Sequence, residues 1–176
     1  MKILFMYIWL FPILFMIHDF EEIFMVNAWQ QKNKHYIESR KDKYIPYNFK
    51  ASTAAFSIGV DIEFALISIV TIISYLLNSY VIWFGLFIAF VVHLFLHIIM
   101  CINFKGYVPG VITGTIVIPV SCFMIYRIYI LLNFNMIIFL FSILIGTLFM
   151  LGMIYVLHKA TKKFNYWLER YNTSYR

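Results

Sequence analysis

Eight side chains in this sequence stand where charge and polarity are costly. Asp19, Glu21, Glu22, Asp61 and Glu63 lie inside long apolar runs, and His18, His93 and His97 join them there. An ionised group at the middle of hydrocarbon costs at least ~3 kcal/mol on insertion scales, so such residues turn toward a protein interior and find partners. Spacing decides which can meet. His18, Glu21 and Glu22 stand at i, i+3 and i+4 and share one broad helix face. Asp19 points roughly 100° away, toward headgroups or a different neighbour. His93 and His97, at i and i+4, share a face of their own. Asp61 and Glu63 diverge by roughly 200°, so at most one of them addresses the same centre.

The chemistry this pattern suits best is metal binding. Imidazoles paired at i, i+4 chelate one ion, and a glutamate one turn away ligates it or acts as a base. The candidate ligands are His18, His93 and His97, with Glu22 as fourth ligand or general base. Glu21 can serve in either role, and Glu63 can complete a second metal position. The expected cofactor is a divalent metal: zinc first, because it suits three histidines with one open position, with iron or manganese favoured by richer carboxylate sets. A metal that activates water, with Glu21 or Glu22 taking the proton, makes a hydrolase of a lipid or membrane-borne amphiphile. Two other readings use the same residues. One is a proton or ion relay in a small transporter. The other is a structural network in an accessory or immunity-type membrane protein, where interhelical hydrogen bonds contribute about 0.6 kcal/mol each. No nucleophile motif, phosphate loop or nucleotide fingerprint competes.

The elements that must position these groups are membrane-spanning helices. Of 176 residues, 63% are apolar and only 12% charged, against about half and a quarter in soluble domains. The expected fold is all-α, a polytopic bundle of about five spans at residues 3–29, 51–77, 81–103, 111–132 and 136–157, each near the ~20 residues that cross the hydrocarbon. Residues 158–176 read as a basic tail that can form a short interfacial helix. The first run lacks a clear cleavage site and reads as a retained helix. The formal charge of +6 would raise nucleic acid as a partner in a soluble protein; here the basic residues fall between apolar runs and act as topology signals. Lys32, Lys34, Arg40, Lys41, Lys43 and Lys50, then Lys105, then Lys159, Lys162, Lys163, Arg170 and Arg176 all fall on one side of a five-span bundle. That side is expected to be cytoplasmic, with the N-terminus outside; Lys2 dissents and Arg127 lies within the fourth span. The expected location is the cell membrane, with membrane lipid as partner. A homodimer would supply the helices that five spans lack for alternating access.

This topology matches the depths of the reactive groups. The first helix descends through His18–Glu22 in its inner half, the third does the same through His93 and His97, and the second carries Asp61 and Glu63 about 15–18 Å from its start. Other features read as structural first. Pro12 and Pro119 kink their helices, Arg127 snorkels, and Cys101 and Cys122 pack. Asn27 and Asn103 act as interface anchors or outer donors. His35 and His158, in basic aqueous stretches, need no role. Tyr107–Gly110 places proline near a helix start, an N-terminus that could also hold an anion such as a lipid phosphate.

His18-Asp19-Phe20-Glu21-Glu22 fits the pattern His-x-x-Glu-Glu. Together with His93, His97 and the stretch Tyr107-x-Pro109-Gly110-x-x-Thr113, in this order, it resembles the bacterial HXXEE-motif membrane protein family. The resemblance spans the first four helices. It implies a small multi-helix membrane protein whose defining residues are His18, Glu21 and Glu22, and it implies no particular activity. Relatives carry an arginine shortly before the Tyr-x-Pro-Gly stretch; this chain has Asn103 and Lys105 there, which weakens a phosphate clamp.

Overall fold

The computed structural model describes residues 2–39, 46–47 and 52–173, without the side chain at 158. Arg40, Lys41, Lys43, Lys50 and Arg176 of the basic segments, and the side chain of His158, lie outside the described residues. Six helices follow in order: α1 Lys2–Lys32, α2 Lys34–Ser39, α3 Thr53–Leu76, α4 Val81–Phe104, α5 Val111–Leu131 and α6 Met136–Thr173. Among the described residues there is no strand. All but α2 are long and apolar enough to cross a membrane. Large apolar side chains such as Phe24, Ile116, Ile137 and Leu144 face outward, as lipid-facing positions do when the solvent is hydrocarbon.

α4 occupies the middle, packed on α3, α5 and α6, while α1 packs on α3 and α5. Between α1 and α4 lies a layer of large rings. Phe11 meets Trp83, Phe87 and Phe90 at centroid distances of 5.6, 5.1 and 5.6 Å, and Phe15 meets Phe90 at 6.0 Å. The same stripe on α1, at i, i+4, i+7 and i+11, runs Phe11, Phe15, His18, Glu22. On α4 it runs Trp83, Phe87, Phe90, Leu94, His97. One interface is therefore aromatic toward one end of the bundle and imidazole–carboxylate toward the other.

On the opposite side, α4 and α6 touch backbone to backbone. A Cβ added to Gly85 would overlap the carbonyl of Ser142, and one added to Gly146 would overlap Gly85 itself. Ser142 and Gly146 form a small-x-x-x-small pair, the pattern that lets membrane helices approach closely where lipid offers no hydrophobic drive to associate. α6 then continues without a break past Leu157, through the stretch that composition marks as a tail. Its extension docks on the start of α3: the backbone N–H of Ser52, the N-cap residue, donates to Asn165 Oδ1 at 3.1 Å, and Gly59 faces Thr161 and Leu157.

The connection from α4 to α5 positions the site. α4 ends at Lys105, which adopts a left-handed conformation (φ 58°). The chain then folds back into the bundle, burying Val108, Pro109 and Gly110. Its return is measured by the Pro109 carbonyl, which reaches His97, seven residues or about 10 Å up α4 from Phe104. Non-helical backbone at such depth is tolerated only where protein encloses it. Trp29 fixes the connection by donating from Nε1 to the Tyr107 carbonyl at 2.6 Å.

Gly85→Ala and Gly146→Ala are each expected to destabilise by ~1–3 kcal/mol through overpacking. Gly152→Ala, where nothing lies within 4 Å of the new Cβ, is expected to leave the thermal unfolding midpoint in detergent unchanged or slightly raised.

Candidate metal centre

His18, Glu22, His93 and His97 offer one ligand atom each, and all four atoms lie within 4.8 Å of one another. Glu22 Oε1 is the hub, 3.4 Å from His18 Nε2, 3.5 Å from His93 Nε2 and 2.9 Å from His97 Nε2. His93 Nε2 and His97 Nε2 are 2.9 Å apart. Tetrahedral bonds of about 2.0–2.1 Å separate ligand atoms by roughly 3.3–3.4 Å, so the Glu22 spacings are near those of a coordination sphere, while atoms at the 4.8 Å limit of the group must draw closer to share one ion.

The backs of two imidazoles determine what their fronts present. His97 Nδ1 lies 2.9 Å from the Pro109 carbonyl oxygen. A carbonyl only accepts, so Nδ1 carries a proton, and in the neutral ring Nε2 turns a lone pair to the centre. Thr113 Oγ1 donates its one proton to Glu21 Oε2 at 2.6 Å, so His18 Nδ1, 3.2 Å away, donates to Thr113. His18 Nε2 therefore also faces inward bare. Such outer partners are what fix ring orientation and tautomer in metal-binding histidines. Consistently, the buried His18 Nε2 and Glu22 Oε1 have no hydrogen-bond partner.

The two glutamates of the motif part company. Glu22 belongs to the hub. Glu21 turns to the start of α5, where the N-cap is Gly110, a residue with no side chain to cap it. Glu21 Oε2 accepts from the Thr113 backbone N–H at 2.7 Å and Oε1 from Tyr107 Oη at 2.8 Å and, more weakly, from Ile112 N–H at 3.4 Å. A carboxylate at a helix N-terminus satisfies orphan amides and the dipole together. The anion expected as a lipid phosphate at this helix start is thus the chain's own Glu21. The Tyr107 phenol, half-buried and bonded to that carboxylate, is held well above its usual pKa by desolvation first and by Glu21 next.

Glu63 lies outside the four-residue group. It lines a cavity beside His93, while Asp61 is exposed, in keeping with their opposite directions on α3. Asp19 is not turned to headgroups: it is buried, Oδ2 has no hydrogen-bond partner, and Glu22 and Glu63 are its charged neighbours. Asn27 accepts from Gln31 on the exposed side of α1.

Three contributors were not given their roles from sequence, although Pro109 and Gly110 stand in the Tyr-x-Pro-Gly stretch. Tyr47 donates from Oη to the Pro109 carbonyl at 3.1 Å, 3.4 Å from His97 Nδ1. Its hydroxyl end is enclosed although the residue as a whole is half-buried, and that burial, then the charge of Glu22, holds the phenol well above its usual pKa. The Pro109 carbonyl is a backbone group that no side-chain pattern reveals. Gly110, at φ +83°, is a third: a Cβ there would stand 2.7 Å from His97 Nδ1 and 3.0 Å from His18 Cε1. The only trace of these in the sequence is the Pro-Gly dipeptide.

Gly110→Ala is expected to cost ~1–3 kcal/mol in backbone strain and to displace both rings. Thr113→Val is expected to cost ~1–3 kcal/mol, because it leaves buried partners unpaired, and to release His18 into a mixture of tautomers. Thermal unfolding and the ring ¹⁵N chemical shifts of labelled histidine report the two effects separately.

No curated protein and no solved structure matches the chain. A family model described as "Protein of unknown function with HXXEE motif" matches residues 9–124, a stretch running from α1 through most of α5 and containing every ligand of the cluster. The fold, the order of the motif residues and this match agree: the chain belongs to the HXXEE-motif family.

Proposed function

We propose that the cluster is a divalent-metal centre, and that the protein is a membrane-embedded metal-dependent hydrolase acting on a lipid or membrane-borne amphiphile. The observation that carries this reading is the convergence of the Nε2 atoms of His18, His93 and His97 around one carboxylate oxygen. One ion at the shared point would give all four atoms a partner. Zinc fits the imidazole-rich set, and iron or manganese fits it when Glu22 stays bound and further positions remain open.

The ion supplies Lewis acidity and lowers the pKa of a water to about 7. The chain supplies the rest. His18 and His97 are held from behind by Thr113 and Pro109. Glu22, whose Oε1 lies close to all three ring nitrogens, would take the proton when water rather than its own carboxylate holds the ion's fourth position. Glu21 has its oxygens committed to Tyr107 and Thr113 and acts as a positioning residue, holding α5 and, through Thr113, His18. The bundle end bearing the site is read as cytoplasmic, because twelve of the fourteen Lys and Arg residues fall in the segments on that side.

Purified protein is expected to carry about one equivalent of zinc, iron or manganese by elemental analysis, lost in His93→Ala and His97→Ala and weakened ~10–100-fold in Glu21→Gln, the size of other outer-partner effects. Metal-free protein that moves protons through Glu22 would favour a transporter instead, and Glu22→Gln with intact function and only lower stability would favour a structural network. A reporter fused after Arg176 is expected to be cytoplasmic; an external signal would reverse the orientation and leave the metal reading untouched.

A further inference from the structure

The centre is closed on every side but one. The side chains of His18 and His97 are 0% and 1% exposed and that of Glu22 is 7%, whereas His93 is 37% exposed. His93 opens onto a cavity of about 110 Å³ between α1, α3, α4 and α6. Its walls are apolar: Phe11 and Phe15 from α1, Ile67 from α3, Met153 from α6. Apart from His93, the sole ionisable group on them is Glu63, which has no hydrogen-bond partner among the described residues.

We infer that this cavity holds the hydrocarbon chain of the substrate next to its polar head, and that the head carries a hydrogen-bond donor, a hydroxyl or an amine, which Glu63 binds. The shape selects the class. A carboxyl in an otherwise apolar wall needs a donor from whatever fills the space, because a buried polar group left unpaired is costly. The volume is smaller than the ~150 Å³ cavity that takes benzene, so it receives one chain segment and excludes two side by side. Met150 and Met153 form part of the lining, and the thioether side chain adapts to flexible hydrocarbon better than a rigid wall. Every lining residue comes from a membrane-length helix, so the chain reaches the pocket from the lipid phase. The substrate is thus a single-chain membrane amphiphile with a donor-bearing head, set with that head between Glu63 and His93. The inference relies on the metal reading for the chemistry but not for the binding.

The test uses the full-length protein in nanodiscs and a long-chain alcohol bearing a photoreactive diazirine near its hydroxyl end. Crosslinks mapped by mass spectrometry are expected on Phe11, Phe15, Met150 and Met153, and to fall at least tenfold in Ala89→Trp, which fills the cavity. Metal content is expected to be unchanged in that variant. Met153→Trp fills the same space from α6 should Ala89→Trp fail to fold. Glu63→Leu is expected to erase the preference for the alcohol over its methyl ether. Labelling spread evenly over lipid-facing residues, or insensitive to both tryptophans, overturns the pocket even if metal is present. Labelling of the unsubstituted protein when it is found to carry no metal supports the pocket while defeating the metal centre, so the two readings fail separately.

Discussion

A carboxylate oxygen and three imidazole nitrogens that crowd to about 3 Å in a dry interior need protons or a cation among them. A proton on His97 could serve Glu22 at 2.9 Å or His93 at 2.9 Å, and either choice leaves His18 Nε2 facing an acceptor. A single divalent cation would serve all four atoms at once. The rest of the site follows from that demand. The α4–α5 connection folds back to put the Pro109 carbonyl behind His97, and Gly110 lets backbone approach two rings. α5 begins inside the bundle, which brings Thr113 behind His18. The α5 terminus, now buried away from water, needs a carboxylate of its own, and Glu21 fills that need.

The division of labour between adjacent glutamates shows how far face arithmetic reaches. His18, Glu21 and Glu22 do share one side of α1, as their spacing requires. At 100° per residue, though, Glu21 and Glu22 fall roughly 60° and 40° to opposite sides of His18. That is wide enough for one to meet α5 and the other α4. Spacing alone left both as candidate bases, because it fixes directions on one helix and says nothing of which neighbour lies in each direction. The same limit explains Asp19. Its divergence from His18 was legible, but the neighbour it turns to is α3 rather than headgroups, since α3 packs on that flank of α1.

Composition and hydropathy made the five long helices legible to within a few residues, because a bilayer enforces length and polarity together. They could not show that α6 runs on unbroken to Thr173. Its extension holds together through specific contacts, Asn165 with Ser52 and Thr161 against Gly59, which no hydropathy window registers. The pairing of His93 and His97 was legible from their i, i+4 spacing. The parts of the site that were not legible are those in which backbone does the work: the Pro109 carbonyl, the left-handed Gly110, and Tyr47, brought in from the loop between the first two spans.

The surroundings of the cluster also weigh between chemistry and conduction. A proton relay needs polar groups in sequence toward both faces of the bundle. Toward the far end, the α1–α4 interface above His18 passes at once into Phe90, Phe15, Phe87, Phe11 and Trp83. Two of the buried hydroxyls in that half are spent locally, Thr71 donating to the Ile67 carbonyl and accepting from Trp83 and Ser142 donating to the Ile138 carbonyl, while the buried Ser121 hydroxyl has no partner. No chain of donors leads from them to Glu22. The polar groups instead gather on one side of the aromatic layer, and the one opening leads sideways past His93 and Glu63 into apolar space. The aromatic layer on one side of the cluster and the apolar cavity beside His93 favour the reading proposed above, a centre acting on something dissolved in a bilayer, over a conduit.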